Sequence, residues 1–217
     1  MDKKTVERLR VEAARTDYPS MARLARALYE TGLTAEEVLR ECYRVDFPAE
    51  VFVIADAGPY SLDTLTMFTN QPWKLAVPLD RGGPAPTADS MAQTERKLIA
   101  LDPDLLPLAG LLGHGAESED DNLILCYRLS ELSAGRSTVF DVWRKSRRRD
   151  EVQQRDDSLL EALHDHHTKW LRHLLSEREK PYSWGADTVD EERVESAQEM
   201  LDQLEALRQE LVARESR

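Results

Sequence analysis

Between residues 2 and 31 the apolar positions Val6, Leu9 and Ala13, then Met21, Leu24, Ala25 and Leu28, recur at steps of three and four. That is the spacing of one buried helix face. The pattern breaks at Asp17-Tyr18-Pro19-Ser20, which predicts two helices, the second closed by Gly32. Thr34 with Glu37 three residues on forms a capping box, in which hydroxyl and carboxylate satisfy free N–H groups at a helix start. Val38, Leu39 and Cys42 give that third helix its apolar stripe. Pro48 forces Phe47 out of the α region and suits the first turn of a new element, which Gly58-Pro59 ends. The run Val51-Phe52-Val53-Ile54 has strand propensity, but its flanks behave as helix ends, so residues 49–56 are expected to be helical.

Beyond Gly58 the pattern changes to short apolar runs between prolines and turn residues. Residues 65–68 and 73–79 read as strands, with Pro72 and Pro78 confining them to edges or strand ends. Ser90 with Gln93 predicts a capped helix through Leu101. Residues 105–112, 122–129 and 137–143 are the clearest strands, the last two joined by a turn at 133–136. No connection is long enough for a crossover helix, so an antiparallel sheet is expected. From Ser158 to Leu175 the positions Leu159, Leu160, Leu163, His167, Trp170, Leu171, Leu174 and Leu175 trace one face of a long helix. After the breaker at 181–185, a third capping box, Thr188 with Glu191, opens a helix carrying Val194, Ala197, Leu201, Leu204 and Leu211, with Arg208 in the seam. The fold predicted is α+β: N-terminal helices, a small central antiparallel sheet, and a C-terminal helical hairpin. An α+β domain over residues 1–149 and an acidic hairpin over 150–217 are the expected divisions.

Charge sharpens that division. Residues 1–149 hold 20 Lys and Arg against 23 Asp and Glu, a net of −3, so 150–217 carries the other −9 of the chain's −12. An acidic chain whose one basic cluster, Arg144, Lys145 and Arg147 to Arg149, is followed at once by Asp150 and Glu151 is not expected to bind nucleic acid. No apolar run approaches the ~20 residues of a membrane span, and the first residues lack the apolar core of a secretory signal. A cytoplasmic protein is therefore expected. Cys42 and Cys126 lie in apolar runs without metal-ligand spacing and are expected to be buried thiols.

Candidate chemistry is sparse. The group His164, His166, His167 and His173 invites a metal reading, but only His164 and His167 share a helix face and no acidic partner completes a site. His114 sits between two glycines, where backbone can approach a ligand closely. A small soluble enzyme, with or without a metal, built on polar groups around His114 or on residues 164–173 is thus the second functional reading. The first rests on Glu117, Glu119, Asp120 and Asp121, four carboxylates within five positions, which form a docking surface for a basic protein. No catalytic residues, cofactor or metal ligands are assigned, and the C-terminal helices could pair two copies.

The order of these elements resembles the SUKH superfamily of bacterial toxin-immunity proteins and their yeast cell-wall regulator relatives. Val45-Asp46-Phe47-Pro48-Ala49-Glu50 is similar to that family's Leu-Pro-Glu helix start, and residues 122–127 with 138–143 to its late strand pair. The resemblance covers residues 33–145 at most; the family's paired glycines are reduced to Gly58, and the acidic tail lies outside its core. It implies a non-enzymatic protein that binds and neutralises a toxin, often a nuclease with a basic active site. The acidity of the chain suits such a partner.

Overall fold

The structure is a computed structural model describing residues 3–112, 122–179 and 191–216. Four helices come first, α1 (Lys3–Glu12), α2 (Tyr18–Tyr29), α3 (Ala35–Tyr43) and α4 (Ala49–Ala57). Their boundaries follow local signals. Thr34 Oγ1 accepts from Glu37 N while Glu37 Oε2 accepts from Thr34 N, completing the capping box of α3. Gly58, at φ 79°, takes the left-handed conformation that ends α4.

The sheet is a five-stranded antiparallel meander in chain order, β1 (Thr66–Phe68), β2 (Leu105–Leu111), β3 (Leu123–Arg128), β4 (Val139–Trp143) and β5 (Gln153–Asp156). Helix α5 (Ala92–Leu101) precedes β2, and the short α6 (Leu129–Ser133) links β3 towards β4. Both faces are covered. Along β3, Leu123, Leu125 and Tyr127 enter the larger core, built with the N-terminal helices, whereas Ile124 and Cys126 enter a smaller one with Met91 and Leu98 around α5. A strand buried on both faces reads as a continuous apolar run, as this one does.

Three details differ from expectation. Residues 73–79 are not a strand: Trp73–Ala76 and Leu79–Arg81 are short 3-10 turns, with Lys74 N donating to Asn70 O and Leu75 N to Pro72 O. Two prolines without N–H groups cannot sustain a ladder there, and Trp73 instead turns inward. Helix α5 starts without a Ser90 cap; Asp89 Oδ1 accepts from Met91 N in its place. Residue 129 belongs to α6, not to the preceding strand, because Asp104 Oδ1 accepts from Ser130 N and draws the chain into a helical turn.

The tail forms α7 (Leu159–Glu179) and α8 (Glu191–Glu215), packed antiparallel. Arg208 of α8 bridges Glu161 near the start of α7, and Arg193 lies over the Trp170 ring further along. Packing is continuous across residue 149. Strand β5 completes the sheet, and Leu159, Leu163, Leu204 and Leu207 share the larger core with Val51 and Leu125. The cap at Thr188 lies outside the described residues. No helix among them is long and apolar enough to cross a membrane.

Candidate functional site

The expected docking residues Glu117, Glu119, Asp120 and Asp121, and His114, lie outside the described residues. Their chain neighbours are placed: Leu112 follows β2 and Asn122 precedes β3, at the same end of the sheet, where Leu112 N donates to Leu65 O and Arg144 N to Asn122 O.

The histidines of α7 divide by environment. His164 is half-buried and His173 is exposed, its ring stacked on Trp170. His167 is buried: its Nε2 accepts from Leu65 N at 2.8 Å, so Nδ1 carries the proton and donates to Leu163 O at 2.7 Å. His166, expected to point away from the apolar face, is also buried and donates from Nε2 to Leu112 O. The buried face of α7 is wider than a two-residue seam because the sheet end covers part of it. Both rings thus hold the ends of β1 and β2. Among the described residues no three His, Cys, Asp or Glu side chains are grouped to hold a metal ion.

Two buried carboxylates, Glu50 and Glu95, serve the architecture. Glu50 Oε1 accepts from Leu159 N at 3.0 Å and from the Tyr127 hydroxyl; Oε2 accepts from Ser158 Oγ at 2.6 Å and Leu160 N at 3.1 Å. A residue of α4 therefore supplies the anion at the N-terminus of α7, where free N–H groups and the helix dipole favour negative charge. Ser158 also accepts from Glu161 N. That Ser-x-x-Glu start is a helix-start signal carried by the sequence itself.

Glu95 of α5 holds the turn before Pro72. Its Oε1 accepts from Asn70 N and Gln71 N, and Asn70 in turn bonds Asp89 and Lys74. Desolvation by burial raises the Glu95 pKa above the usual carboxylate value, against the opposing effect of those N–H donors. The folded protein then keeps this proton to higher pH than the unfolded chain does. Its stabilising contribution is complete at low pH and shrinks as pH rises through the raised value. Wild type is therefore expected to gain on Glu95→Gln as pH is lowered towards the ordinary carboxylate value of about 4, read as the difference between their urea midpoints. A constant difference would remove the assignment.

The cysteines are poor nucleophiles. Burial pushes the Cys42 thiol up to about 12 and raises Cys126 further still, so neither forms a thiolate readily.

Exposed apolar side chains mark the surface most open to a partner. Met67 on β1 and Leu112 after β2 are 38% and 42% exposed at the sheet end where residues 113–121 leave and return, Met67 on the face of Gly110 and Ile124; Trp143 at the end of β4, 48% exposed, pairs with Leu123 and stands on the other face. A depression of about 120 Å³ lies there, lined by Met67, Met91, Gly110, Asn122 and Arg144 among others. Gly110 forms its floor; a Cβ there would meet Ile124 Cδ1 at 3.2 Å and Met91 Cε at 3.6 Å. Methionines on such a rim adapt to differing shapes. The basic cluster begins at the same end of β4, with Arg148 paired to Asp150 and Arg149 Nε donating to Leu101 O. Single exposed Met and Leu residues carry no sequence signal of their own; only their common position at one sheet end groups them.

The molecule belongs, by its architecture, to the α+β class, a five-stranded antiparallel meander between helical layers. No family model, no curated protein and no solved structure matches the chain.

Proposed function

We infer that this is a non-enzymatic interaction protein that docks on a basic protein surface, in the manner of an immunity protein neutralising a toxin. The single observation that carries the reading is the exposure of Met67 and Leu112 beside a depression at the sheet end, next to the point in the sequence where the acidic stretch begins. An apolar centre with a charged rim is the usual anatomy of a protein interface. The use of both buried carboxylates as helix and turn anchors supports it further, since those groups are already engaged by the scaffold. The SUKH resemblance adds the expectation of a toxin as partner.

The test begins with a partner co-purified from the native host. Replacing Glu117, Glu119, Asp120 and Asp121 together by Gln and Asn is expected to slow its association several-fold at low salt and to have little effect at high salt. Met67→Ala is expected to speed dissociation instead, because an apolar anchor acts mainly on residence time. A partner bound equally well by both variants would remove this surface from the proposal.

A further inference from the structure

The helical hairpin carries a second surface. Near the start of α7 and the end of α8 lies an open groove of about 460 Å³, with Leu160, Leu211, Val212 and Ala213 among its lining residues and Glu205 and Gln209 at its side. Val212 is 63% exposed although it is aliphatic. Towards the N-terminus of α8, the stripe through Val212 continues at alternating steps of three and four: Gln209, Glu205, Asp202, Gln198, Glu195, Glu191. It therefore changes from apolar to acidic along one side of one helix. Glu191, Glu195 and Asp202 are exposed and make no ion pair among the described residues, whereas Glu205 is matched by Arg208. The buried seam, through Ala197, Leu201, Leu204 and Leu207, faces the core and is separate from this stripe.

Two antiparallel helices with an apolar groove between their ends are two parts of a three-helix packing. We propose that the α7/α8 groove receives an amphipathic helix of a partner protein, its apolar stripe seated on Leu211 and Val212 and its lysine or arginine flank running along Glu195 and Asp202. Charge selects this occupant. A second copy of the chain would bring another hairpin from a segment carrying −9, placing like charges side by side, whereas a basic helix relieves the unpaired carboxylates. This surface is distinct from the sheet end and does not depend on the reading given there.

A synthetic amphipathic helix of about four turns, composed of leucine and lysine, serves as the probe. Titrated into the full-length protein at low salt, it is expected to perturb the amide resonances of Leu160, Gln209 and Val212. Val212→Glu should weaken binding about tenfold, and Glu195→Gln with Asp202→Asn should weaken it about threefold while flattening its salt dependence. Val212 and both acids are exposed, so these variants are expected to melt as wild type does; if one does not, Val212→Ser gives the same reading with a milder change. A peptide of the same composition with its helical phase scrambled should bind at least tenfold more weakly. Equal binding by the scrambled peptide, or an unchanged affinity for Val212→Glu, would overturn the proposal. Self-association of the protein alone that Val212→Glu abolishes would overturn it too, in favour of a second copy. None of these outcomes depends on residues 117–121, so failure here and failure at the sheet end are distinguishable.

Discussion

Replacement of Glu50 by alanine is expected to cost about 4 kcal/mol in urea denaturation, among the largest effects of any single change in the molecule. The carboxylate is 3% exposed and is the acceptor for two backbone N–H groups, a serine hydroxyl and a buried tyrosine hydroxyl. Alanine leaves Leu159 N and Leu160 N without that acceptor at the start of a 21-residue helix, and removes the partner of a fully buried Tyr127. Each orphaned buried donor costs about 1–3 kcal/mol, partly offset where Ser158 can turn to a new partner or water can enter. Glu50→Gln keeps one acceptor oxygen but points an NH2 group at donors, and should cost about 2 kcal/mol. Tyr127→Phe with Glu50→Gln, measured as a double-mutant cycle, should show coupling, because the two groups share one bond. A Glu50→Ala variant within about 1 kcal/mol of wild type would mean that the N-terminus of α7 is held by other means.

Trp73→Ala is expected to lose about 4 kcal/mol. The side chain is 1% exposed, meets Phe68 edge-on at 5.2 Å, and donates its indole N–H to Leu108 O at 2.7 Å. Residue 108 is the extra residue of a bulge in β2, between Pro107 and Ala109, where the proline cannot donate to the ladder. Its carbonyl is also bonded by Thr69 N and Thr69 Oγ1, so it keeps partners when the indole is removed. Trp73→Phe should therefore cost only about 1–2 kcal/mol, mostly lost packing. If the phenylalanine variant were as unstable as the alanine one, the hydrogen bond would outweigh the ring contacts.

The N-terminal helices were legible because their signals are local. Thr34 and Glu37 lie three residues apart, Gly58 stands directly after the last turn of α4, and the break at Asp17-Tyr18-Pro19 separates α1 from α2. Helix α4 was the closer case: its β-branched run suggests a strand, and its burial against several elements overrides that propensity. Residues 73–79 went the other way. Aromatic and branched residues there suggested a strand, but the prolines and an inward indole decide for turns. Glu50 and His167 were illegible for a different reason, since their partners are about a hundred positions away. Periodicity reports which face of a helix is buried and says nothing of what meets it. The sheet end was half legible: the acidic stretch is visible in the letters, but that Met67 stands beside Gly110 and Ile124 depends on strand register.

The bond from Glu50 to Leu159 spans 109 positions, which bears on how the chain matures as it is made. When α4 leaves the ribosome, the groups that will receive its carboxylate have not yet been synthesised. Until residue 160 emerges, Glu50 must keep its water, and α4 cannot seat its full buried surface without stranding a charge. The nascent N-terminal half is therefore expected to stay hydrated around Glu50 until the start of α7 is available, and α8, which also packs on α4, follows later. Arrested chains ending shortly before and shortly after the emergence of residue 160 should differ abruptly in protease resistance at α4.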